Sequence, residues 1–177
     1  MTPGVERVDA WADARLERIR GHAVPDTVFQ FASKVGDFSL VWHTAGIGRV
    51  LIGGRPLRQA VVLSGLLGAE SLIVNQGVKR LFRRSRPTES GDPRFPQRRP
   101  STSSFPSGHA SSAAFAATIL THWDPGVMVP VWVAVATVVG ISRAYVRIHH
   151  ASDVVAGAAL GGALGLVARA VADHLGA

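Results

Sequence analysis

Apolar positions along the chain recur first at helical spacing and then in nearly continuous runs. Over residues 5–19, Val5, Val8, Ala12, Leu16 and Ile19 fall on one face, with Glu6, Asp9, Asp13, Arg15, Glu17 and Arg18 elsewhere. That 3.6-residue period predicts an amphipathic helix that lies in a membrane interface, with Trp11 at headgroup depth, or packs on the protein. Residues 1–37 are read as an amphipathic, interfacial region. Five apolar runs follow, judged against the roughly 20 residues a crossing helix needs. The first, 38–52, carries His43 and Arg49; the second, 57–78, is interrupted by Arg58, Glu70, Asn75 and Gln76. The third, 107–122, is rich in Ala and Ser, which suits a helix packed among others, and 127–146 is the cleanest span. The last, 153–172, carries Gly157, Gly161, Gly162 and Gly165 at spacings that allow close helix contact. The pattern predicts an all-α polytopic membrane bundle of about five to six spans, a single domain over 1–177 with its core at 57–172.

Between the second and third runs, residues 85–106 hold Pro87, Pro93, Pro96, Pro100 and Pro106, half of the 10 prolines. No helix or strand survives that density. A connection of this length joining two charged motifs is read as a substrate-facing loop. Composition agrees with a bilayer protein: 47% of residues are hydrophobic, 18% are charged, and the mean hydropathy is +0.22. The net charge of +7 admits nucleic acid, anionic lipid or a phosphorylated substrate. Where that charge sits must decide, and its concentration at the ends of the apolar runs favours membrane lipids over nucleic acid. The absence of cysteine excludes a disulfide framework, a thiolate metal site and a cysteine nucleophile. Residues 1–24 are charged throughout, so no cleavable signal sequence is expected and insertion falls to an internal apolar segment.

Three charged motifs stand at the ends of these runs. The first, over 79–87, reads Lys-Arg-Leu-Phe-Arg-Arg-Ser-Arg-Pro and places Lys79, Arg83 and Arg86 at i, i+4 and i+7, one face of a helix and an anion-binding surface. Alone, such a cluster reads more often as a flank that fixes topology. The second is Pro106-Ser107-Gly108-His109 at the start of the Ala-rich run. Ser107 fits an N-cap, the first-turn amides and helix dipole make a phosphate seat, Gly108 lets an anion approach the backbone, and His109 is a proton donor. The bland alternative is an ordinary cap beside an interfacial histidine. In the third, Ser142-Arg143 precedes His149, and Asp153 follows four residues later. On a helix Asp153 would accept a hydrogen bond from one imidazole nitrogen of His149 and leave the other nucleophilic, while Arg143 forks two phosphate oxygens. Here the alternative is a helix end decorated with headgroup-facing cations, the role expected of His150. Alternating spans bring all three motifs to one membrane face, and that convergence separates a site from three bland helix ends.

These residues resemble the signature of the type 2 phosphatidic acid phosphatases, which share a helical core with vanadium-dependent haloperoxidases. The family pattern is Lys, six residues, Arg-Pro; then Pro-Ser-Gly-His; then Ser-Arg, five residues, His, three residues, Asp, and here every position is filled. The resemblance covers about 57–172, and membrane members usually show six spans. It implies that His149 attacks phosphorus in line to form phosphohistidine, that Asp153 orients it, and that His109 protonates the leaving oxygen and then activates water. It further implies that Lys79, Arg86 and Arg143, with the Ser107 hydroxyl and Gly108 amide, hold the phosphoryl oxygens, with no metal and no cofactor. Expected substrates are phosphatidic acid, phosphatidylglycerol phosphate, polyprenyl diphosphate or a polyprenyl-phosphoryl sugar phosphate.

Two other readings compete. A haloperoxidase-like enzyme would hold vanadate in the same seat with His149 as axial ligand, but those relatives are generally larger and soluble. A non-enzymatic protein binding anionic lipid by charge would leave the His149 and Asp153 spacing without a purpose. The composition fits the inner membrane of a bacterium. The positive-inside rule places the motif face in the cytoplasm, whereas members of the resembled family commonly work at the outer face.

Overall fold

The computed structural model describes residues 2–88, 92–96 and 102–177. Among these residues seven α-helices run in order: α1 (Pro3–Glu17), α2 (Ala23–Val35), α3 (Leu40–Leu51), α4 (Leu57–Ser71), α5 (Gly108–Trp123), α6 (Met128–Tyr145) and α7 (Ala151–His174). Helix α4 continues through a π-helical stretch, Leu72–Gly77, and a 3-10 turn, Val78–Leu81. No strand occurs among the described residues.

Helix α5 is the axis, with α4, α6 and α7 packed round it. Its side chains are small enough for that place: Ala110, Ala113, Ala116 and Ala117 are buried with Phe115, Ile119 and Leu120. Its closest neighbour is α7, and glycine sets that approach. A Cβ on Gly161 would stand 2.0 Å from the Ser111 carbonyl oxygen, and one on Gly157 2.3 Å from that of Ser107. Two backbones in contact cannot yield as a flexible side chain can, so Gly161→Ala is expected to cost about 1–3 kcal/mol through overpacking. Gly162→Ala, whose Cβ meets nothing within 4 Å, is the control. Thermal unfolding in detergent distinguishes them, and equal melting temperatures would contradict this packing.

Large apolar side chains face outward along the helices. On α7, Val155, Leu166 and Val167 are exposed while Gly157, Gly161 and Gly165 are buried; on α4 and its π-helical continuation, Val61 and Leu72 face outward. Large hydrophobes outside and small residues inside are what packing in lipid selects. Among the described residues, three helices are long and apolar enough to cross: Leu57–Leu81, Met128–Tyr145 and Ala151–His174. The chain is therefore a polytopic all-α membrane bundle. Of the five runs, α5 with 16 residues and α3 with 12 are shorter helices. Arg49, inside the first run, lies in the last turn of α3 and pairs with Asp124 at 2.5 Å, next to Gln59 at 2.9 Å.

The amino-terminal region adds a second helix to the expected one: α2 also forms and packs on α6. Two local expectations change. The basic run is not one helical face, because the helix ends at Leu81 and Phe82 is extended (φ −123°, ψ 146°), which breaks the i, i+4, i+7 register and leaves Arg83 exposed. The inward face of α1 includes buried Asp9, whereas Val8 and Trp11 are exposed. The proline-rich loop has no helix or strand among its described residues, and Pro100 lies outside them.

Candidate active site

At the end of the bundle where α4 stops, α5 begins and α6 turns into α7, a cavity of about 410 Å³ is lined by Lys79, Gly108, His109, Arg143 and His149. All three motifs reach it. Ser107 caps α5, its Oγ accepting from the Ala110 amide at 3.4 Å. The Ser107 amide donates to the Asp153 carbonyl at 3.0 Å and ties the starts of α5 and α7 together. Beside Gly108 stands Asn75 of the π-helical stretch, whose Oδ1 would lie 2.7 Å from a Cβ added there. Stretches of π-helix recur at functional sites because the extra residue turns side chains out of register.

His149 is not helical, contrary to the i, i+4 helical pair expected. Helix α6 ends at Tyr145, Arg147 takes a left-handed φ of 56°, and the His149 amide donates to the Arg143 carbonyl at 3.0 Å. This turn still brings His149 to Asp153, with Nδ1 3.6 Å from Oδ2. Ser104 joins the pair, its Oγ 3.4 Å from Nδ1 and donating to Asp153 Oδ2 at 2.5 Å. The other nitrogen, Nε2, is 3.5 Å from Arg86, whose guanidinium is fixed by the carbonyls of Ile148 at 2.9 Å and Thr102 at 3.2 Å. Burial pushes the His149 imidazole down to about 3, opposed by Asp153 and reinforced by Arg143, Arg86 and Lys79. It is a neutral base with a lone pair available.

The cations have unspent capacity. Lys79 is 5% exposed, facing the cavity from the 3-10 turn. Arg143 donates to Ser33 of α2, and its buried Nε has no hydrogen-bond partner among the described residues. A phosphoryl oxygen satisfies such a donor.

Sequence reasoning missed the support beneath Asp153. Arg84 donates to Asp153, to Ser152 Oγ at 2.8 Å and to Asp9 Oδ2 at 2.6 Å. Asp9 also accepts from the Ser152 amide at 2.8 Å and hydroxyl at 2.8 Å, so α1 is fastened to the first turn of α7. His150 caps α7 reciprocally with Asp153: its amide donates to Asp153 Oδ2 at 2.9 Å and its carbonyl accepts from the Asp153 amide at 3.1 Å. A second network joins α1 to the loop and the turn. Glu17 meets Arg94 at 3.0 Å, and Arg147 meets Asp13 at 3.0 Å and Glu17 at 2.9 Å. Arg94 and Arg20 hold the Glu17 carboxyl down to about 2.

The sequence profile of the PAP2 superfamily matches residues 59–175. The chain belongs to the PAP2 superfamily. This PAP2 protein is 31% identical over 140 residues, 78% of its length and 76% of theirs, to decaprenylphosphoryl-5-phosphoribose phosphatases of two Mycobacterium tuberculosis strains, CDC 1551 and H37Rv. It is also similar to a crystal structure of a transmembrane PAP2 type phosphatidylglycerolphosphate phosphatase from Bacillus subtilis. That similarity has a TM-score of 0.74 and 25% identity, covering 98% of this chain and 88% of that one. The resemblance drawn from the three motifs holds, and the PAP2 protein is a membrane lipid phosphatase, a phosphoric ester hydrolase.

Proposed function

We propose that the enzyme removes a terminal phosphate from a hydroxylated headgroup attached to a lipid, such as a polyprenyl-phosphoryl sugar phosphate, through a phosphohistidine intermediate. The observation that carries this reading is the polar lining of the cavity. The leaving oxygen of an in-line displacement lies opposite the nucleophile, where His109 as proton donor would meet it. The cavity that holds both histidines is also lined by Asp37, His43, Ser64, Ser71 and Asn75. His43 pairs with Ser64 at 2.9 Å and Asn75 with Ser71 at 3.0 Å. Polar side chains on membrane-embedded helices are costly and by default serve function. Hydroxyls of a sugar or glycerol satisfy such walls, whereas acyl chains do not. Two relatives support the reading by name, one acting on a decaprenylphosphoryl phosphoribose and one on phosphatidylglycerolphosphate.

In the first step a lone pair of His149 forms the N–P bond as the P–O bond to the leaving group breaks, and protonated His109 gives its proton to that oxygen. In the second, neutral His109 takes a proton from water, the hydroxide oxygen bonds phosphorus, and the N–P electron pair returns to His149. Asp153 keeps the His149 proton on Nδ1, and Lys79, Arg86, Arg143 and the α5 amides stabilise the equatorial oxygens. The bacterial relatives favour a bacterial cell membrane as its place.

The test is phosphate release by purified protein from four lipids: a polyprenyl-phosphoryl pentose phosphate, phosphatidylglycerol phosphate, phosphatidic acid and a polyprenyl diphosphate. Hydroxylated headgroups are expected to exceed phosphatidic acid by at least about tenfold in kcat/KM, a difference of about 1.4 kcal/mol, unchanged by chelator. Equal rates on phosphatidic acid would remove the headgroup reading, and chelator-sensitive turnover would remove the mechanism.

A further inference from the structure

We infer that Asp37 is the positioning residue of His109, so that the site contains two aspartate–histidine pairs, one for the nucleophile and one for the proton donor. The inference rests on the proposed two-step reaction and adds a residue to it. Asp37 Oδ1 stands 3.0 Å from His109 Nε2, an ion-pair contact between the 3-10 turn Asp37–Ser39 and the first turn of α5. The Ser33 backbone also hydrogen-bonds this ring, so α2 and the turn after it fix it together.

The local backbone is arranged round this contact. Gly36 lets the ring in, since a Cβ there would lie 2.6 Å from His109 Cδ2. Immediately after Asp37, two consecutive non-glycine residues are left-handed, Phe38 at φ 53° and Ser39 at φ 58°. Residues other than glycine keep such angles only where the surroundings over-determine them, and such positions cluster at active sites. The turn holds a carboxylate beside a ring that shares its cavity with Lys79 and Arg143. Those two cations oppose the imidazolium that must form for proton donation. A carboxylate at ion-pair distance offsets them and favours the imidazolium.

Leaving-group chemistry tests the idea. An alkyl phosphate needs a proton on its departing oxygen, whereas a nitrophenyl phosphate, whose leaving oxygen is a weak base, does not. The comparison uses kcat/KM, which reports phosphoryl transfer to His149 and not the later hydrolysis. Asp37→Asn is expected to lower kcat/KM for the alkyl phosphate by about 100-fold or more, the scale of general-acid catalysis, and for the nitrophenyl phosphate by less than a tenth as much. Asp37→Glu should regain part of the alkyl rate, and inhibition by vanadate should persist in both variants, showing that the phosphate seat is intact. Equal losses on the two esters, or no loss on the alkyl ester, would overturn the role of Asp37. A wild-type protein that hydrolyses neither ester would overturn the proposed function instead, so the two failures are distinguishable.

Discussion

Replacing His149 by alanine is expected to lower kcat by at least about 10⁴-fold with the bundle still folded, because the proposed nucleophile is gone. The size follows from how the neighbours are committed. Arg86 stands at Nε2, Ser104 and Asp153 at Nδ1, and the ring is 3% exposed, so nothing else on that wall supplies a nitrogen to phosphorus. His150 is the internal control. It is the adjacent imidazole and borders the cavity under α1, but the groups it gives Asp153 are its backbone amide and carbonyl. His150→Ala should therefore keep turnover within about tenfold of wild type, a side-chain loss outside the reacting centre. Rapid quench into alkaline detergent with labelled substrate should trap a base-stable, acid-labile phosphoprotein in the His150 variant and none in the His149 variant. Labelled phosphoprotein from His149→Ala would place the nucleophile elsewhere.

How much of this was legible beforehand differs from residue to residue. The apolar runs exposed four of the five bundle helices α3 to α7 clearly, because lipid leaves backbone groups no partners but their own. Helix α2 was harder: its 13 residues mix Asp26, Gln30 and Lys34 with apolar positions, and its partner, α6, lies a hundred residues away. The shared cavity of Lys79, Gly108, His109, Arg143 and His149 was legible through spacing combined with alternating crossings. Spacing did not tell how the pieces meet. The His149 to Asp153 interval was read as a helical repeat, but the left-handed Arg147 and a helix start at Ala151 produce it by a turn. Arg84 was one cation among five, Ser104 one serine in a serine-rich stretch, and Asp37 a lone acid in the amino-terminal region. Each gains meaning from tertiary contacts over tens of residues that no local pattern encodes.

The second large effect falls on Asp153. Asp153→Asn is expected to lower kcat by about 10³–10⁴-fold with little change in KM, on the scale seen when the aspartate of a Ser-His-Asp triad is neutralised. The carboxylate is 0% exposed and accepts from Ser104 Oγ, the His150 amide and Arg84 while facing His149 Nδ1. An amide offers one acceptor oxygen where the carboxylate offers two, and its NH₂ must face a donor. The imidazole then loses the partner that keeps its proton on Nδ1, and Nε2 loses its lone pair in the wrong tautomer. Arg84 is also left with a charge balanced by Asp9 alone, so the single variant should lose stability as well as rate. Arg84→Gln in the same background separates the two effects. The double variant should recover much of the thermal stability, since the uncompensated guanidinium is gone, and should recover none of the rate, since Nδ1 still lacks a carboxylate. A double variant that regained activity would mean that Asp153 serves to neutralise Arg84, and that Ser104 alone sets the tautomer of His149.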